Sequence, residues 1–253
     1  MIRICSLGSG SKGNATVLGF DDTYLLVDCG FNLKQTVKRL TEKGIEPEQI
    51  SMILVTHEHS DHIAGVTRFS NEFSIPTCLN RGTSLHKAFN ELSHIRLFNS
   101  HNSFEFKGIK IEPIPVPHDS REANQFVFNY NGKRIGLLTD VGHVTRHMIE
   151  AYARCNALLL EFNYDEDMLV NGSYPYPLKK RVSGDLGHLS NKQSVEFINR
   201  IDCSNLELLV AMHKSEENNC QDIIEHHLNS LSIGKSFTKL IANQKKGFDW
   251  QEM

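Results

Sequence analysis

Long apolar runs are missing from this 253-residue chain. None approaches the roughly 18 residues that a membrane span requires, so a helical membrane bundle is excluded. The opening residues, Met1 to Gly10, hold no apolar core of a secretory leader, only a short strand-like run ending in glycines. The six cysteines, at 5, 29, 78, 155, 203 and 220, form no CxxC pair and no dense framework. They read as reduced thiols, and a cytoplasmic location is expected. An excess of one charge is lacking too: the formal net charge is −3, so any binding of nucleic acid must use a local patch. Low-complexity tracts, internal repeats and Pro/Gly/Ser-rich linkers are absent. A single domain over residues 1–253 is expected.

What remains is an ordinary globular composition, 40% hydrophobic and 23% charged, which excludes a disordered or collagen-like chain. Runs at 2–7, 15–20, 23–28 and 51–56 read as strands. Further strands are expected at 75–79, near 95–98, and at 109–116, 157–161, 206–212 and 236–242. Asn131-Gly132 joins the strands 126–130 and 134–138 as a tight hairpin. Helices are expected at 33–43, with Asn32 as N-cap and Gly44 as stop, and at 62–72, 83–92, 144–154, 191–200 and 218–230. Hairpin strands alternating with helices indicate an α/β fold whose sheets are covered by helices.

Histidine is conspicuous, with 13 in the chain. Thr56-His57-Glu58-His59-Ser60-Asp61-His62 follows a buried strand. Residues i and i+2 of an extended chain point the same way, so His57 and His59 can reach one point. Asp61 and His62, at the turn into a helix, can reach a second. Nitrogen and oxygen donors so close together suit zinc or manganese.

This HxHxDH pattern resembles the signature of the metallo-β-lactamase fold superfamily. The resemblance implies a four-layer αβ/βα sandwich with two mixed β-sheets. Further residues at strand ends match its later motifs: His118 after 109–116, Asp140 after the hairpin, and His213 after 206–212. Site one would then take His57, His59, His118 and the shared Asp140. Site two would take Asp61, His62, Asp140 and His213. Asp28, in Leu25-Leu26-Val27-Asp28-Cys29-Gly30, matches the buried acid that supports the ligands. Two divalent ions (zinc or manganese, with iron also compatible) would share a bridging hydroxide that attacks a phosphoryl or carbonyl centre. His188, in Gly187-His188-Leu189-Ser190-Asn191, would serve with Asp61 in catalysis, His188 as a general acid or as a group stabilising an oxyanion. His86, His94, His101, His143, His147, His226 and His227 read as surface or loop residues.

Ser9-Gly10-Ser11-Lys12-Gly13-Asn14, the Gly187–Asn191 run and His213-Lys214-Ser215-Glu216-Glu217-Asn218-Asn219 together resemble the YycJ/WalJ family. That likeness implies a 5′→3′ DNA exonuclease with a role in DNA repair. The chain departs from the family pattern at Lys12 and Lys214, where a small residue and a leucine are more usual. Independently, the glycines at 10 and 13 allow backbone N–H groups to approach an anion. Ser9, Ser11, Lys12 and Asn14 are therefore candidate substrate contacts. Lys179, Lys180 and Arg181, beside Tyr174 and Tyr176, could track a strand. The competing readings are a small-molecule hydrolase, acting on a cyclic phosphodiester or thioester, and a tRNA-processing type of ribonuclease. Asp140 and His188 are too close for the inserted domain of β-CASP nucleases. The stretch after His213 is too short for the helical domain of glyoxalase II. The oligomeric state is not legible.

Overall fold

Apolar runs of four or five residues become strands buried on both faces. The computed structural model describes residues 1–234 and 236–253. In chain order the strands are β1 (Ile2–Gly8), β2 (Ala15–Phe20), β3 (Thr23–Val27), β4 (Ile50–Leu54), β5 (Thr77–Asn80), β6 (Ile95–Phe98), β7 (Phe104–Phe106), β8 (Ile109–Pro115), β9 (Asn124–Tyr130), β10 (Lys133–Leu138), β11 (Ala157–Glu161), β12 (Leu208–Met212), β13 (Thr238–Ile241) and β14 (Phe248–Glu252). One sheet runs β14-β1-β2-β3-β4-β5-β6 and the other β13-β12-β11-β10-β9-β8-β7. Each is mixed. Antiparallel pairing extends from β14 to β3 and from β7 to β10. Parallel pairing extends from β3 to β6 and from β10 to β13.

Side-chain alternation assigns each strand residue to a layer. Leu25 and Val27 of β3 meet Leu159, Val210 and Phe128 between the sheets, whereas Leu26 faces outward. Leu158 and Leu160 of β11 likewise turn away from the sheet interface. The helices are α1 (Leu33–Glu42), α2 (Ser60–Ile63), α3 (Val66–Phe73), α4 (Arg81–Ser84), α5 (Arg146–Ala151), α6 (Glu166–Asn171), α7 (Tyr176–Val182), α8 (Asn191–Arg200) and α9 (Gln221–Asn229). Leu40 of α1 with Val66 and Phe69 of α3 cover the first sheet. Met148 of α5, Phe197 of α8 and Ile224 of α9 cover the second. Full burial of each such side chain contributes roughly 1.5–3 kcal/mol. Two mixed sheets flanked by helices are the α/β sandwich expected from the sequence. Among the described residues, no helix is long and apolar enough to cross a membrane. Cys5 and Cys29 are packing residues of the first outer layer, and burial pushes both thiols up to about 12.

The local signals act as expected where the physics is local. Asn32 caps α1 through Gln35 N as expected, and the structure adds a capping box at Ser190 that starts α8. Asn131 and Gly132 both have positive φ, closing a two-residue turn between β9 and β10. Elsewhere the structure differs. The helix expected at 62–72 is broken at Ala64-Gly65, because Gly65 N donates to Cys29 O (2.8 Å) and the Asp61 carbonyl accepts instead from Asn14 N (2.8 Å), and the close approach to Phe31 O leaves no room for a Cβ at position 65. The helix expected at 83–92 is only the turn α4 and a 3-10 turn at Lys87–Phe89. Helix α7 was hidden by Pro175 and Pro177. Proline is tolerated in the first helical turn, where no intrahelical N–H is required.

Candidate metal centre

Four candidate residues lie where strands end at one edge of the sandwich. Asp28 follows β3, Asp140 follows β10, Glu161 closes β11 and His213 follows β12. Asp28, Asp140 and His213 have φ of 60°, 55° and 52°. This left-handed conformation costs of order 1–3 kcal/mol for a residue with a Cβ, and such strain clusters at functional sites. It turns the chain sharply at the sheet edge.

Hydrogen bonds orient every histidine of the cluster. Asp28 Oδ1 accepts from Thr56 N (2.8 Å), and its Oδ2 accepts from Thr56 Oγ1 (2.7 Å) and His62 Nδ1 (2.7 Å). Having donated its proton to Asp28, Thr56 Oγ1 can only accept from His57 Nδ1, 2.9 Å away. His118 Nδ1 donates to Gly187 O (3.0 Å), and His213 Nδ1 to Glu161 Oε1 (3.1 Å). His59 Nε2 donates to Asp119 O (3.2 Å). One nitrogen of each ring is thus tied to an acceptor. The other is turned toward the cluster as the atom that would bind a metal once neutral, the arrangement that second-layer acceptors impose on metal-binding imidazoles.

The free atoms converge. His118 Nε2 is 3.2 Å from His59 Nδ1. His62 Nε2 is 3.3 Å from Asp140 Oδ2 and 3.5 Å from Asp61 Oδ2, and His213 Nε2 is 3.5 Å from Asp61 Oδ2. His57 Nε2, His213 Nε2 and Asp140 Oδ2 are buried without a hydrogen-bond partner. Such atoms are expensive unless something satisfies them. Four overlapping groups could hold metal ions: His57, His59 and His118; His57, His62 and Asp140; Asp61, His62 and His213; and Asp140, Glu161, His188 and His213. The orphaned atoms and the nitrogen/oxygen donor set both fit a divalent cation. None of the histidines read as surface residues enters these groups among the described residues.

The protein's own charges shift strongly here. Burial pushes His57 well below the usual imidazole range, and the neighbouring His62 acts the same way. Burial also lowers His118. For His62 and His213, burial opposes the charge but nearby carboxylates outweigh it. Asp140, Asp61 and Asp28 hold His62 well above its ordinary value. Asp140, Asp61 and Glu161 raise His213 to about 10. The metal-free fold therefore carries protons on His62 and His213 at neutral pH. The stability due to charged His213 is complete below about 6.5 and fades as pH rises towards about 10. Metal binding needs neutral imidazole, so its affinity must climb over that same range. Loading with zinc or manganese at pH 7 is expected to release about two protons. An indicator titration in weak buffer measures this, and metal uptake with no acidification would contradict it.

Glu161 escaped the sequence reading. It is fully buried and accepts from His188 Nδ1 (2.7 Å), His213 Nδ1 (3.1 Å) and the backbone N–H groups of Asp140, Val141 and Leu189. Burial opposes its charge, but His188 and His213 outweigh it and hold the carboxyl at about 2. The available signal was an acid closing the apolar run Ala157–Glu161.

The other candidate residues divide by position. Ser9 is buried, and its Oγ accepts from His213 N (2.8 Å). Asn14 holds Asp61, through Oδ2 (3.1 Å) and through the Asp61 carbonyl (2.8 Å). Lys12 is ion-paired with Glu216 at the surface. Ser11 and Arg181 line a cavity of about 300 Å3 with Asp61, Asp140, His188 and His213. Arg181 Nε donates to Asp119 Oδ2 (2.6 Å). Lys179 and Lys180, expected beside Arg181, line a different cavity. Three consecutive residues of a helix span about 200°, so the three cations cannot share one wall.

A family model described as a beta-lactamase superfamily domain matches residues 23–213. The exodeoxyribonuclease YycJ of Bacillus anthracis is 30% identical over 240 residues, covering 91% of this chain and 89% of that protein. The exodeoxyribonuclease WalJ of Streptococcus pneumoniae serotype 2 is 34% identical over 223 residues, covering 86% and 83%. Among solved structures, the metallo-beta-lactamase fold protein YhfI from Bacillus subtilis superposes with a TM-score of 0.77 at 13% identity, over all of both chains.

Proposed function

Because this chain belongs to the beta-lactamase superfamily, and within it to the family of the YycJ and WalJ exodeoxyribonucleases, we propose that it acts as one domain, residues 1–253, as a dinuclear metal-dependent phosphodiesterase digesting DNA from the 5′ end. The observation that carries this reading is the sharing of Asp140 between donor groups beside a cavity that also holds Arg181. One ion would take His57, His59, His118 and Asp140. The other would take Asp61, His62, Asp140 and His213. Bound divalent ions supply positive charge that lowers the pKa of a bound water and offsets the charge building on the phosphoryl oxygens.

The protein's side chains do the rest. His188, with Nδ1 on Glu161, keeps Nε2 for the leaving oxygen and delivers a proton to it. Glu161 stabilises the charged ring before that transfer. Arg181 meets the phosphate at the cavity wall, held in place by Asp119. Arg181→Ala is expected to raise KM on DNA about 10- to 100-fold, the loss of one charge-assisted hydrogen bond, with kcat little changed. An unaltered KM in steady-state assays would remove Arg181 from the substrate site.

The cavity, about 300 Å3 and walled by Tyr174, Leu178 and Arg181, has room for about one nucleotide. That size suits removal of a terminal residue. It equally suits a small phosphodiester, which is the second reading. The six cysteines are free, in keeping with action on DNA in the cytoplasm. The test is incubation of the metal-reconstituted protein with 5′- and 3′-labelled single strands and duplexes. Metal-dependent release of mononucleotides from the 5′ end is expected. Intact DNA alongside hydrolysis of a small diester would establish the second reading instead.

A further inference from the structure

A second cavity, of about 560 Å3, lies on the other face of α7 and has no part in the chemistry above. Helix geometry separates the two. At about 100° per residue, Leu178, Arg181 and Val182 share one face of α7, and these line the metal cavity. Tyr176, Lys179 and Lys180 share the opposite face, and these line the second cavity with Leu169, Val170 and Glu166.

The lining of the second cavity has a distinct chemistry. Tyr176 is 77% exposed and Val170 69%, two large apolar side chains left in water at one mouth. Lys179 Nζ donates to Val170 O (2.7 Å), which ties α7 to the end of α6. Lys180 forms no ion pair among the described residues. The carboxylate of Glu166 is engaged by Lys192 Nζ (2.7 Å) and Ser190 Oγ (3.1 Å). The uncompensated charge of this wall is therefore positive. An exposed ring, an aliphatic wall and the free ammonium of Lys180 match the requirements of a single-stranded polynucleotide, whose bases stack and whose phosphates carry the charge.

We propose that this cavity is a second subsite for the substrate strand, holding a nucleotide of single-stranded DNA beyond the one being cleaved, with its base on Tyr176 and Val170 and its phosphate near Lys180. The inference rests on the polynucleotide reading of the metal site. A helix with its side chains is about 10–12 Å across, equal to about three stacked nucleotides at 3.4 Å each. Only strands of about four nucleotides or more reach across α7.

The metal-loaded protein is compared with Tyr176→Ala and Lys180→Ala on bis(p-nitrophenyl) phosphate, a dinucleotide and a decanucleotide. Tyr176→Ala is expected to lower kcat/KM on the decanucleotide about tenfold and to leave the other two substrates unchanged. Lys180→Ala is expected to reduce decanucleotide turnover at low salt, with the deficit shrinking as salt rises. Equal relative rates of Tyr176→Ala on all three substrates would overturn the subsite. Fluorescence anisotropy with a labelled decanucleotide reads the subsite separately from cleavage. Binding about tenfold weaker in Tyr176→Ala supports it, and unchanged binding overturns it. Failure of the polynucleotide reading looks different, since the wild-type protein would then neither cleave nor bind the decanucleotide while still hydrolysing the small diester.

Discussion

His188→Ala is expected to keep its full metal complement and to lose about 10²- to 10⁴-fold in kcat on DNA, the range contributed by a positioned proton donor. The ring is held through Nδ1 by Glu161 Oε1 at 2.7 Å, and the following peptide by Leu189 N on Glu161 Oε2 at 3.0 Å. Its side chain is 21% exposed, against 3% for His213 and 1% for His62 and His118. That exposure places it at the cavity wall, where a leaving group departs. A diester with a p-nitrophenolate leaving group needs little proton donation, so the variant's deficit should shrink sharply on that substrate. Metal analysis and the two rates together decide the role. A variant that loses metal would make His188 a ligand, and equal deficits on both substrates would remove it as the acid.

The second large effect is expected from Asp140→Asn. Asparagine tolerates the left-handed backbone at this position and preserves the side-chain shape, so the substitution isolates the charge. Asp140 is buried, with Oδ2 3.3 Å from His62 Nε2 and Oδ1 3.3 Å from His213 Nδ1. Its removal deprives both groups of metal donors of their shared carboxylate. Bound metal should fall below two ions per chain. Turnover should fall on the order of 10³-fold or more, equivalent to about 4 kcal/mol of transition-state stabilisation. The proton release on metal loading should also shrink, because the carboxylate that raises His62 and His213 is gone. Full metal occupancy with near-normal turnover would exclude Asp140 as a bridging group.

The contrast between Asp140 and Glu161 shows which functional residues a sequence makes legible. Asp140 follows a hairpin whose Asn-Gly turn sets its own register, so the order of residues is enough to locate the strand end. Glu161 ends an equally clear strand, but a single acid at the end of Ala-Leu-Leu-Leu has no neighbour in sequence to suggest its purpose. Its partners are His213, brought alongside by the parallel pairing of β11 and β12, and His188, whose loop is held by the bridge between Tyr164 and Ser190 and by Asn163 N on Leu189 O. Ser9 and Asn14 show a related shift. Their glycine-flanked loop suggested contact with substrate, yet Ser9 bonds to the His213 peptide and Asn14 to Asp61. The loop braces the cluster, and Ser11 alone of the four candidates there reaches the cavity.

Periodicity, turn chemistry and helix caps act over a few residues, so the amino-acid order by itself determined most of the strands (though not the short β7 or the edge strand β14), the Asn131-Gly132 hairpin, the cap at Asn32, and the closely spaced donors from His57 to His62. The tertiary structure alone decided which nitrogen of each histidine is free, that Glu161 joins His188 to His213, and that α7 turns Arg181 and Lys180 into different cavities. Those outcomes depend on atoms far apart in the chain meeting within hydrogen-bonding distance, and only the packing of two sheets and their covering helices sets such distances.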